Sequence, residues 1–253
     1  MRFGVTMSTL RVRARKGLAA LRHPVYRRAL RHGTLPVVEH DPLLRIVGKC
    51  MTVLDVGANI GQFAVVARRW FPNARIVSFE PLPEAGARAA RIFSGDDGFE
   101  LLPLALGKKL GRSELHVTSS DDSSSLLAPG PRQVEEYPGT AEIATITVEL
   151  STLDEVLRTR PRLAQPVLLK LDTQGTELDV LEGATALLDE VDWVLVEVSF
   201  VELYVGQASA SDISTHLFAR GYRLRAVNDI RYSALSGEPV QADFLFERTN
   251  RAP

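Results

Sequence analysis

Cysteine is almost missing from this chain. Cys50 is the one thiol in 253 residues, so no disulfide can close within it. Lying beside an apolar segment, Cys50 reads as a small buried side chain. No apolar run approaches the roughly eighteen residues that a helical membrane span requires. The opening Met1-Arg2-Phe3-Gly4-Val5 leads into no apolar stretch with a cleavage site, so no secretory signal is read. The single thiol and the missing signal together predict a cytoplasmic protein. Net charge is also nearly absent, at −1, which argues against a molecule that attracts nucleic acid by its overall field. No His, Cys and carboxylate cluster has zinc-ligand spacing and no calcium loop is present, so no metal site is expected. Internal repeats and domain-separating linkers are lacking too.

What is present suits a globular enzyme. Apolar residues make up 45% and charged residues 24%, and the length suits one large domain. The charge is unevenly spread, with eleven Lys or Arg against Glu39 and Asp41 in the first fifty residues. Residues 1–49 therefore read as a basic, helical N-terminal extension that can touch an anionic membrane surface or lipid. Residues 50–253 read as the main domain.

Strand and helix signals alternate from there. Met51 to Val56 is a buried strand, Gln62 to Phe71 a helix stopped by Pro72, Ala74 to Phe79 a second strand, and Pro83 to Phe93 a second helix. Phe99 to Leu104 and Val167 to Leu171 continue the strands, Glu177 to Leu188 the helices. Trp193 to Val198, Tyr222 to Val227 and Ala242 to Phe246 are further strands, the last set beside an existing edge. This order predicts an α/β fold with a doubly wound, mostly parallel sheet. At about 111–150 the rhythm breaks into an inserted hairpin, Ser113 to Val117 with Ala144 to Val148, around a polar loop. Its Ser119 to Ser125 segment is expected to be mobile, since its composition buries little apolar surface.

The strongest local pattern is Val53-Leu54-Asp55-Val56-Gly57-Ala58-Asn59-Ile60-Gly61, a strand running into a glycine turn and then a helix. Gly57 permits a tight turn and close backbone approach to a ligand. Gly61 stands where a helix begins, and Asp55 can accept hydrogen bonds at the strand end. Asn59 occupies the position of the second glycine in the three-glycine turn of dinucleotide folds, so a pyrophosphate is not the expected ligand. Glu80 closes the second strand, where a carboxylate can take both hydroxyls of a ribose.

The first block resembles motif I of the class I S-adenosylmethionine-dependent methyltransferases. A second block, Lys170-Leu171-Asp172-Thr173-Gln174-Gly175-Thr176-Glu177 followed by Leu181-Glu182-Gly183-Ala184, resembles the hallmark of their FkbM branch. The likeness spans roughly residues 50–247. It implies a Rossmann-like, seven-stranded sheet with the last strand antiparallel and S-adenosyl-L-methionine at the strands' carboxyl ends. It further implies O-methylation of a hydroxyl on a saccharide, glycolipid or polyketide-type acceptor. On this likeness Asp55, Gly57, Asn59 and Gly61 wrap the methionine end, Glu80 holds the ribose, and the block around Asp172 reaches the reaction side. Gln174 departs from the branch, which often has an acid there.

Methyl transfer from a sulfonium is a direct displacement that gains from in-line placement and from a base at the hydroxyl. Lys170 and Asp172 sit two apart and so share a strand face, with Glu197 closing the neighbouring strand. Asp172 is the expected proton acceptor, Lys170 and Glu197 its charged neighbours, and His116 the rival base. Two other functions compete: a nicotinamide-dependent dehydrogenase, disfavoured by the glycine turn, and a non-enzymatic glycan- or anionic-lipid-binding module. A nucleic-acid methyltransferase is disfavoured by the missing base-clamping Pro-Pro-Tyr segment.

Overall fold

The computed structural model describes residues 23–120 and 122–249. Of the basic stretch expected to touch a membrane surface, Arg2 to Arg22 lie outside the described residues.

The main sheet is built from short strands buried on both faces, as parallel sheets covered by helices must be. Strands β1 (Thr52–Val56), β2 (Arg75–Phe79), β3 (Phe99–Leu102), β7 (Val167–Leu171) and β8 (Trp193–Ser199) run parallel; β9 (Tyr222–Tyr232) and β10 (Pro239–Arg248) complete seven in the order β3-β2-β1-β7-β8-β10-β9. Strand β10 is antiparallel to both neighbours. The last strand is thus antiparallel, but it enters between β8 and β9 rather than adding to an edge. Val240 to Phe246 is buried throughout, which an edge strand cannot achieve.

Side-chain alternation splits each strand between two cores. Val53, Ile76, Leu168, Leu195 and Leu245 face α1 (Pro24–Arg31), α2 (Asp41–Val47), α3 (Gln62–Trp70) and the end of α4 (Pro83–Ile92). Leu54, Val77, Leu169, Val194 and Phe246 face the other layer, which includes Leu153, Val180 and Leu217. Tyr26, Leu43 and Leu44 are 0–1% exposed, so residues 24–47 form part of this core. The segment read as one helix over 177–188 is α7 (Glu177–Glu182) followed by a 3-10 turn at Leu187–Asp189. A Cβ at Gly183 would overlap the Gly107 carbonyl, so only glycine permits that contact. Helix α8 (Ala210–Ala219) opens on a capping box between Ser209 and Asp212.

A second sheet pairs β4 (Ala105–Leu106), β6 (Glu142–Ser151) and β5 (Gly111–Thr118). Two helices unread in the sequence lie nearby: α5 (Pro131–Glu136), within the insertion, and α6 (Leu153–Arg158), capped by the Thr152 hydroxyl. The end of the serine-rich segment, Ser123 to Ser125, is anchored, which its composition did not predict. Ser123 and Ser125 are buried, the Ser125 hydroxyl donates to the Gln174 carbonyl at 2.7 Å, and the Tyr204 hydroxyl lies 2.9 Å from the Ser123 carbonyl. Hydrogen bonds supply the ordering free energy that apolar burial does not.

Cys50 is 4% exposed, and burial pushes its thiol up to about 12. The thiolate is the reactive form, so at pH 8 a disulfide reagent is expected to leave the folded protein unlabelled and to modify Cys50 on addition of urea. Fast labelling of the native protein, timed against the urea-unfolded sample, would contradict this placement.

Candidate active site

The carboxyl ends of β1, β2 and β7 open onto one cavity of about 860 Å³, counting its mouth. Such crevices are where open α/β sheets bind ligands. Its floor is made by backbone. Gly57 turns at φ +76, and a Cβ there would overlap the carbonyl oxygen of Asp172. The turn after β1 and the turn after β7 therefore touch main chain to main chain.

One wall carries Glu80, 6% exposed. Its Oε2 accepts the Asn59 backbone N–H and its Oε1 the Leu82 backbone N–H, each at 2.7 Å. Both bonds fix the carboxylate's direction and leave lone pairs on each oxygen for a ligand. Burial raises its proton affinity, which the two N–H donors oppose. Leu82, Leu104, Ala105, Leu106, Leu115 and Leu126 form an apolar slot beside it.

The opposite wall carries Lys170 and Asp172. The Lys170 ammonium lies 3.5 Å from Asp55 Oδ1 and 3.3 Å from Asp172 Oδ2, and donates to the Gly57 carbonyl at 3.3 Å. Burial alone would lower its proton affinity; Asp172 and Asp55 more than reverse this, so it stays charged. Burial pushes Asp172 up, but Lys170 and the Gln174 amide together hold it below the usual carboxylate range. Gln174 has φ +56; its Nε2 donates to Asp172 Oδ1 at 2.8 Å and to Glu197 Oε2 at 3.1 Å. The Tyr204 hydroxyl lies 2.9 Å from Gln174 Oε1 and fixes the amide's orientation. Burial and the Asp172 charge raise Glu197 well above its ordinary value. Glu177 stays under the loop, its carboxylate accepting the backbone N–H groups of Thr173 and Gly175.

Of the residues singled out in the sequence, Gly57, Asn59, Glu80, Lys170 and Asp172 line the cavity. Asp55 sits beneath it, fully buried, with Oδ2 accepting from the Ser78 hydroxyl, so its role is to hold Lys170. Gly61 has its N–H bonded to the Ala58 carbonyl, packs on Ala89 of α4 and makes the turn. Glu197 stands behind Gln174. His116 is apart from the others. Strand alternation points Leu115 into the cavity and His116 away, to Glu142 at 2.8 Å. His40, Gln174 and Tyr204 were missed as site residues; only Gln174 left a trace, as the departure from its branch's pattern.

Among the described residues, no group of three or more His, Cys, Asp or Glu could hold a metal ion, and no helix is long and apolar enough to cross a membrane.

Comparison with known proteins adds to this geometry. Residues 55–224 match the model of the Methyltransferase FkbM domain. The chain is similar to 2-O-methyltransferase NoeI of Sinorhizobium fredii, 30% identical over 61% of this chain and 66% of that protein. It is also similar to Methyltransferase sdnD of Sordaria araneosa, 29% identical over 67% of this chain and 73% of that one. A third relative, Hexuronic acid methyltransferase AglP of Haloferax volcanii, is 30% identical over 57% of this chain and 54% of its own length. The matches span roughly half to three quarters of these relatives.

Replacing Gly57 by alanine is expected to cost about 2–4 kcal/mol, because the two turns must separate. Gly95→Ala, also at positive φ but facing open space, is expected to cost about 1 kcal/mol. Urea midpoints of both variants against the parent measure the difference; equal losses would remove the steric argument.

Proposed function

Since the chain belongs to the FkbM methyltransferase family and is a methyltransferase, we propose that it takes the methyl group from S-adenosylmethionine and places it on a hydroxyl of a saccharide-type acceptor. The carrying observation is a single cavity with a directed carboxylate at one wall and an ionised one at the other.

The residues fit the cofactor. Glu80 has spare lone pairs for two ribose hydroxyls, and the leucine-rich slot beside it suits an adenine ring. The missing side chain of Gly57 lets the two turns meet and close the floor between the two walls. When bound, the sulfonium supplies an electrophilic methyl carbon; the protein supplies placement and a proton acceptor.

Asp172 is that acceptor. A carboxylate held below the usual range is a weak base for an alcohol, so its work comes late. As the new carbon–oxygen bond forms, the acceptor oxygen becomes strongly acidic, and an ionised carboxylate beside it then takes the proton without prior alkoxide. Gln174 holds Asp172 by one oxygen and Lys170 by the other, so the carboxylate cannot swing away. His116, outside the cavity, has no part in this reading. The acceptor class draws support from the relatives' printed activities, a 2-O-methyltransferase and a hexuronic acid methyltransferase.

Calorimetry with S-adenosylhomocysteine and, separately, with NAD tests the cofactor. The parent is expected to bind only the former, and Glu80→Ala to weaken it about 10- to 100-fold. No binding of S-adenosylhomocysteine by the parent would sink the reading. With a saccharide acceptor that carries a free hydroxyl, Asp172→Asn is expected to keep cofactor affinity and lose about 100- to 10,000-fold in single-turnover rate. His116→Ala is expected to stay near the parent. The reverse pattern would move the base to His116.

A further inference from the structure

The cavity wall is poor in positive charge. Among its described lining residues only His40 and Lys170 are basic, against Glu80, Asp122 and Asp172. An ammonium has three protons to donate, and those of Lys170 face Asp55, Asp172 and the Gly57 carbonyl. Lys170 therefore has nothing left for an anionic ligand. His40 does.

His40 precedes α2, on a 3-10 turn at Val38–His40, and its Nε2 lies 3.1 Å from Asp243 Oδ2 on β10. The two side chains are 12% and 10% exposed. The other ring nitrogen, Nδ1, is buried and has no hydrogen-bond partner among the described residues. Burial disfavours the imidazolium, yet Asp243 outweighs it and raises the pKa, with Lys170 opposing and Glu39 assisting. A charged imidazole bonded through Nε2 carries one further N–H, and leaving that donor unmet in a buried place is costly. The ring stands edge-on to Phe63, with centroids 5.4 Å apart. Phe63 and Gln62, which also line the cavity, form the first turn of the nine-residue helix α3, whose N-terminus has no side-chain cap. The open N–H groups of that turn favour negative charge at the same place.

We propose that His40, held by Asp243, binds a ligand carboxylate, and that this is the amino-acid carboxylate of the cofactor. The inference rests on the cofactor reading above and adds where the other end of that molecule is held. Asp243 lies on β10 and Glu80 follows β2, with β1, β7 and β8 between them, so the imidazole's partner and the ribose-binding carboxylate stand at opposite flanks along the sheet. A ligand with a diol at one end and a carboxylate at the other matches that polarity.

Calorimetry with two ligands separates the ends. S-adenosylhomocysteine carries the carboxylate; 5′-methylthioadenosine keeps the adenine, ribose and sulfur but lacks the amino acid. His40→Gln is expected to weaken S-adenosylhomocysteine about 10- to 100-fold and leave 5′-methylthioadenosine within about twofold. Asp243→Asn, which removes the charge holding the imidazolium, is expected to shift affinities in the same selective way. Unchanged affinity for both ligands in His40→Gln would overturn the inference and leave a carboxylate on the acceptor as the residue's partner. Equal weakening of both would overturn it as a packing effect. If the parent binds 5′-methylthioadenosine and S-adenosylhomocysteine, the cofactor reading stands whatever His40 does. If it binds neither, that reading falls and takes this inference with it.

Discussion

The buried ammonium of Lys170 is what the site depends on. It sits on β7 opposite Asp55 on β1, in register, with one carboxylate below it and another above. Remove the cation, and Asp55 would be left a fully buried carboxylate, with Asp172 on the cavity wall above it and Arg231 beside Glu197. Leaving a buried charge without its partner costs several kcal/mol, so the pair of strands and the two turns beyond them are electrostatically one unit. The same ammonium bonds the carbonyl of Gly57, which locks the glycine turn against the Asp172 turn it already touches. The cavity floor is thus a consequence of one lysine and one missing side chain.

Much of this was legible because its parts are local. A strand, a glycine and a helix in nine consecutive residues read the same way in sequence as in space. Lys170 and Asp172, two apart, needed only the alternation of a strand to be placed on one face. The mostly parallel order of the strands followed from alternating patterns, and their number from the family resemblance. The position of β10 did not. Its apolar run Phe244 to Phe246 says that both faces are covered, but a run of residues cannot name the strands on either side. That comes from the long hairpin with β9, whose register irregularities, such as that between Leu245 and Phe246, no pattern announces.

His40, Tyr204 and Arg231 were hidden for a related reason. They arrive from separate segments and meet only through tertiary contacts: His40 on Asp243, Tyr204 on Gln174, Arg231 on Glu197. No spacing encodes such meetings. His40 was further masked by its surroundings, a basic stretch that reads as an appended arm although Tyr26, Leu43 and Leu44 are core. The serine-rich segment misled in the opposite direction. Polar composition suggests disorder when hydrogen-bonding partners are unknown, and here Gln174, Tyr204 and the backbone of His116 provide them.

The amide at position 174 then makes physical sense as a departure from its branch. An acid there would lie within hydrogen-bond reach of both Asp172 and Glu197, adding a like charge to two carboxylates already competing for protons. Burial raises Glu197 further, so a third acid would force a proton onto one of the group, and Asp172 would stand to lose its ionised state. Gln174 donates to each carboxylate instead, and Tyr204, bonded to its carbonyl side, decides which way the amide points. One neutral side chain thereby helps Lys170 keep the acid on the cavity wall ionised, while burial and the Asp172 charge raise the proton affinity of the one behind it.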